Sequence, residues 1–81
     1  MDTEWDSPVI MKRGDETTVI RNARQAIQFL DGQAMTQRGY LHRLARRRCE
    51  VNLDAPEASN SARLAFHAAV CEIGMFPQKR L

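Results

Sequence analysis

The sequence predicts an α+β domain of order β-β-α-α-α, an N-terminal hairpin packed on three helices. Three observations carry that expectation. Two short runs rich in β-branched residues flank a glycine-centred turn. Three later stretches repeat their apolar residues at helical spacing. A chain of 81 residues leaves room for one hydrophobic core, so residues 1–81 are expected to form a single domain.

Residues 8–12 and 17–20 read as the two strands, with Arg13, Gly14, Asp15 and Glu16 between them. Pro8 stands at the head of the first strand, where its missing N–H costs least, and Gly14 supplies the positive φ of a tight turn. An isolated hairpin is marginal in water, so one face has to cover other elements. The acidic lead, residues 1–7, and the tail, residues 76–81, are expected to be flexible ends. Trp5 in that lead is expected to lie over the hairpin or to join an interface.

The first helix opens at Asn22. Gln25, three residues on, is placed to return a hydrogen bond to the cap's own N–H, while Ala23, Ala26, Ile27 and Leu30 share one face. Asp31 and Gly32 end it. The second helix is expected over residues 36–53, with Leu41, Leu44, Ala45, Cys49 and Asn52 in one buried arc. Asp54, Pro56 and Glu57 repeat the capping pattern and start the third helix. Ala58, Ala62, Ala65, Phe66, Ala69, Val70 and Ile73 line one side of it, and so many alanines imply close helix contact. A narrower apolar line, Leu64, Ala68 and Cys71, runs along the other side. Gly74 and Pro77 stop the helix.

Composition narrows the function. No apolar run approaches the roughly 20 residues that cross a bilayer, and the opening Met-Asp-Thr-Glu has neither the basic nor the apolar part of a signal peptide. A soluble, cytoplasmic protein is the expectation, with no membrane association. Cys49 and Cys71 form no CxxC pair and have no histidines at zinc spacing, so no metal is expected. A Cys49–Cys71 disulfide is open geometrically, although a reducing compartment keeps both as thiols. The four glycines build no phosphate-cradling loop, and no cofactor is expected.

The net charge of +2 is unevenly spread. Through Gln37 there are four basic and six acidic residues, and from Arg38 onward eight and four. The basic excess concentrates on the second helix, where Arg43, Arg46 and Arg47 share the solvent side with Glu50, Arg38 adds to them from the helix start, and Arg48 turns toward the apolar arc. Such a face neutralises phosphates in a nucleic-acid binder, but as a rule it serves solubility. Phe29 and Phe66 fall beside or within the apolar stripes and are assigned to the core.

Catalysis has few candidates: Cys49, Cys71, His42 and His67. His67 and Cys71 stand four apart on one helix, close enough to touch, yet no third group orients them and no oxyanion hole is evident. Both cysteines read as buried small hydrophobes. No catalytic residue is assigned, and the protein is not expected to be an enzyme.

A spaced pattern runs through most of the chain: Trp5 with Pro8 and Val9, Ala26 and Leu30, Gly39 with Tyr40, Ala45 with Cys49, and Ala62 and Arg63 with Phe66 and Ala69. In this it resembles a family of short alphaproteobacterial proteins common in rhizobia, domain-of-unknown-function family 982. That family usually carries a Trp-Pro pair shortly after the first helix, where Gln33 and Ala34 stand here. The resemblance implies no activity.

What remains is an interaction or regulatory module. A small core and a third helix apolar on two sides favour further burial, against a second copy or another protein, through Trp5, Leu64, Ala68 and Cys71. The alternative is a weak nucleic-acid binder using Arg38, Arg43, Arg46 and Arg47.

Overall fold

The computed structural model describes residues 4–33 and 39–72. Strands β1 (Glu4–Arg13) and β2 (Glu16–Asn22) form an antiparallel hairpin. Helices α1 (Ala23–Asp31), α2 (Tyr40–Asp54) and α3 (Ser59–Glu72) follow, with a short 3-10 turn at Pro56–Ala58 before the last. The expected α+β order, a hairpin followed by three helices, is the observed one. β1 packs on α3 and β2 on α1, while α2 packs on both α1 and α3.

The ladder pairs Arg13 with Glu16, which leaves Gly14 and Asp15 as a two-residue turn. Gly14 has φ +60°, and no other described residue has a positive φ. A positive φ at the first central position alone is the II′ arrangement, whose twist matches that of the strands and for which glycine is the natural residue. Val9 and Ile20 face each other, both buried, and Met11 is fully enclosed, so one face of the hairpin covers the helices.

β1 begins earlier than the sequence suggested. Between the pairs Glu4–Asn22 and Val9–Ile20, β1 advances five residues and β2 two, so β1 bulges. Pro8, which has no N–H to give a ladder, falls in this stretch. The bulge carries the Ser7 carbonyl to Arg63, whose Nε–H donates to it at 2.7 Å. It also places Trp5, 5% exposed, in the core. Residues 4–7 are therefore strand and not a loose end, and Trp5 leaves the interface candidates because its ring has a fixed berth. The remaining positions of the expected flexible ends, 1–3 and 76–81, lie outside the described residues.

That berth joins three elements. The Trp5 ring lies 5.9 Å from that of Phe66, tilted by 52°, and Phe29 meets Phe66 edge-on at 5.8 Å. The Trp5 Nε1–H donates to Asn52 Oδ1 at 2.9 Å, and Asn52 Nδ2 donates to the Ala55 carbonyl and to Ser59 Oγ. Phe66, Met11, Leu30, Val9 and Val70 are essentially fully enclosed. Each contributes about 1.5–3 kcal/mol relative to an exposed side chain.

Two cap expectations need correction. Asn22 Oδ1 accepts the Gln25 N–H as expected, but the Gln25 side chain accepts from the N–H of Arg21, one residue before the cap. Asp54 does not cap the third helix: it is the last residue of α2, and Ala55 stands at the junction. Asn52, held by Trp5, closes that junction through Ala55 and Ser59, and Ser59 Oγ donates to the Pro56 carbonyl. The described part of α2 starts at Tyr40, with Gly39 as its cap. The expected start at residue 36, together with Ile73, Gly74, Phe76 and Pro77, lies outside the described residues.

Candidate docking site

Every turn of α2 divides its side chains between two neighbours and an open side. His42, Ala45, Cys49 and Asn52 face inward and are buried. Tyr40, Leu44, Arg47 and Val51 follow one another at intervals of four, three and four residues on the outer side, so they share one line. Leu44 is half-buried, whereas Val51 is 54% exposed and Tyr40 67%. Leu41 is half-buried against the core.

α3 divides in the same way. Ala62, Phe66, Ala69 and Val70 are buried, and Leu64 on the far side is 54% exposed. Ala68 and Cys71 are half-buried. Between the two helices lies an open groove of about 300 Å³ lined by Leu44, Val51 and Ala58 with Arg47, Arg48 and Ser61. Leu64 stands one turn from Ser61 on the same helix, so the exposed apolar line of α3 borders this groove. The sequence singled out Leu64 and missed Leu44, Val51 and Ala58. The signal was present, because Leu44 and Val51 stand seven apart, two turns of helix, but Leu44 was counted in the buried arc.

The arginines separate into different roles. Arg46 Nε and Nη2 donate to the two Asp31 oxygens at 2.7 and 3.2 Å, and Nη1 lies 3.0 Å from Glu50 Oε2. Hydrogen bonds first to Asp31 and then to Glu50 raise its pKa above the usual guanidinium range. Its charge is therefore answered within the chain, joining the end of α1 to α2. Arg48 is exposed rather than turned into the core, and donates to Ser61 Oγ at 2.5 Å. Arg43 and Arg47 are exposed and make no ion pair among the described residues. Arg38 lies outside the described residues. Of the basic patch read from the sequence, Arg46 is engaged, and Arg43 and Arg47 make no ion pair among the described residues.

The titratable candidates spread apart. Cys49 is enclosed, and burial pushes its thiol up to about 12, which keeps it protonated near neutrality. His42, also buried, has Nε2 2.7 Å from the Leu30 carbonyl. A carbonyl oxygen only accepts, so the proton belongs on Nε2, and His42 helps to close the C-terminus of α1. Its Nδ1 is buried with no partner among the described residues. Cys71 Sγ lies 3.9 Å from His67 Nδ1, the contact that their spacing allowed, and no third side chain hydrogen-bonds His67 among the described residues. Both cysteines are free thiols.

No described helix is long and apolar enough to cross a membrane. Among known families, the profile described as "Protein of unknown function (DUF982)" matches residues 7–76. No curated protein and no solved structure matches the chain.

Proposed function

The chain belongs to the family described as Protein of unknown function (DUF982), and from its geometry we propose a non-enzymatic role, docking of a protein partner on the outer face of α2 and α3. The observation that carries the reading is the apolar groove between Leu44, Val51 and Ala58, bordered by exposed Leu64. Single exposed apolar side chains are ordinary, but a concave apolar surface on two packed helices is the form that receives a helix or an extended segment. The chemistry-bearing groups support the same side: Cys49 stays protonated, and His42 is spent on a backbone carbonyl. The proposed setting is the cytoplasm, where Cys49 and Cys71 stay reduced.

Differential capture tests the reading. Proteins retained from a cell extract by the wild type are compared with those retained by Val51→Glu/Leu64→Glu, two changes at exposed positions whose retained fold is checked by circular dichroism. A partner held by the first and lost by the second supports docking on this face. Equal capture by both, or none by either, overturns it.

A second reading rests on Arg43 and Arg47, exposed and unpaired among the described residues. They are the part of the basic face able to neutralise phosphates. Fluorescence anisotropy with random duplex DNA and single-stranded RNA at several salt concentrations checks it. With two phosphate contacts on duplex DNA the logarithm of affinity falls with a slope of about −1.8 against the logarithm of salt. Absence of binding at low salt removes this reading.

A further inference from the structure

We infer that the α2/α3 groove receives an acidic amphipathic segment of a partner protein, its apolar side chains seated on Leu44, Val51 and Ala58 and its Asp or Glu side chains on Arg47 and Arg48. The inference rests on the docking reading and names the chemistry of the occupant. It begins from the sign of the charges at the groove. Among the described residues both ionisable side chains lining it are arginines, and no carboxylate lines it. Of the carboxylates nearest in sequence, Glu50 is engaged by Arg46, and neither Asp54 nor Glu57 pairs with Arg47 or Arg48 among the described residues. Arg48 donates to a neutral hydroxyl, and Arg47 has no ion-pair partner among the described residues.

Closure over such a groove excludes water from around the guanidinium groups. An occupant without carboxylates leaves two cations partly desolvated and unanswered, whereas carboxylates paired with them recover that cost. Arginine also suits this role, since its planar fork takes a carboxylate through two parallel hydrogen bonds.

The same argument weighs against occupants from this chain. In a two-fold contact each copy presents the same patch to the other, so a second molecule brings another Arg47 and Arg48 to the seam. The chain's own C-terminal sequence carries Lys79 and Arg80 and is likewise basic. A partner rich in Asp or Glu meets neither obstacle. The line from Leu44 to Val51 spans two helical turns, about 10 Å at 1.5 Å per residue, so a short segment with apolar residues at i and i+3 or i+4 fills it.

Selection from a display library of random 15-residue peptides on the immobilised full-length protein tests the inference. Enriched peptides are expected to combine apolar residues at helical spacing with two or more Asp or Glu. The best of them, as a labelled synthetic peptide, is expected to lose at least tenfold in affinity on Arg47→Glu/Arg48→Glu and to lose binding on Val51→Glu. A version with its acids changed to Lys should bind the Arg47→Glu/Arg48→Glu protein and not the wild type, an inversion that misfolding does not produce. Enrichment of apolar peptides without acids overturns the inference and leaves the docking face standing. A dimer in sedimentation that Val51→Glu dissociates does the same. No enrichment, or binding indifferent to Val51→Glu, overturns both.

Discussion

α2 and α3 carry apolar side chains on both their inner and their groove sides, yet only the inner side is keyed by buried polar contacts, the groove having one exposed hydrogen bond from Arg48 to Ser61. Inside, Phe66 is flanked by Trp5 and Phe29, and Asn52 fixes the indole N–H while closing the junction to α3. Outside, Leu44, Val51 and Leu64 meet no such network, and the charged groups lining the groove beside them among the described residues are cations. The difference teaches that apolar periodicity locates a buried face, whereas polar anchors show which neighbour it was built for.

Mutations break that comparison in graded steps. Phe66→Ala should cost about 3–5 kcal/mol, because it empties the centre of the aromatic cluster. That equals roughly the whole 3–5 kcal/mol that a core of this size supplies, so circular dichroism should find the variant largely unfolded at room temperature. A cooperative transition near wild-type denaturant concentration would show that the cluster is not the keystone.

Asn52→Ala should cost about 1–3 kcal/mol in urea unfolding by leaving the Trp5 N–H buried without an acceptor. Trp5→Phe in the same background removes the orphaned donor and should recover part of the loss. Absence of any coupling between the two changes would contradict the bond's role.

Cys49 gives a pH test. Burial raises its folded pKa to about 12 from the ordinary thiol value of 9.0, so above pH 9 the unfolded chain has released a proton that the folded chain still holds. Stability due to this group is full below pH 9 and is lost as pH rises toward 12. Between pH 9 and 10 the loss should be about 1 kcal/mol, read by chemical denaturation. Cys49→Ala should remove that slope while lowering stability at neutral pH.

The smallest effect sharpens the contrast most. Val51→Ser and Leu64→Ser should each change stability by less than about 0.5 kcal/mol, since both positions are exposed. A loss above 2 kcal/mol in thermal or urea unfolding would mean that this face is part of the core.

Local chemistry made much of the fold legible. The β-branched runs, Gly14 and the Asn22 cap gave the hairpin and the start of α1, because turn and cap geometry depend on a few adjacent residues. The errors arose where distant residues decide. Asp54 and Glu57 have the local form of a cap, but Asn52 is anchored by Trp5 from 47 residues away, and that anchor sets the α2 to α3 junction. His42 is polar and so escaped the apolar arc, yet it is buried to donate to Leu30. Of the candidate docking site, the Leu64 line was legible from α3 alone, whereas the groove requires knowing that the Val51 side of α2 lies beside Ala58 and Ser61.

The long reach of β1 also sets an order of events during synthesis. Trp5 waits for Asn52, and Ser7 waits for Arg63, 56 residues later. At roughly 5–20 residues per second, the second interval lasts roughly 3–11 s. Throughout it the nascent hairpin carries Trp5, Val9 and Met11 with no helix α3 to cover them. β1 leaves the ribosome before the helix it packs on, and the short-lived exposure of that apolar strand is where a chaperone has its opportunity.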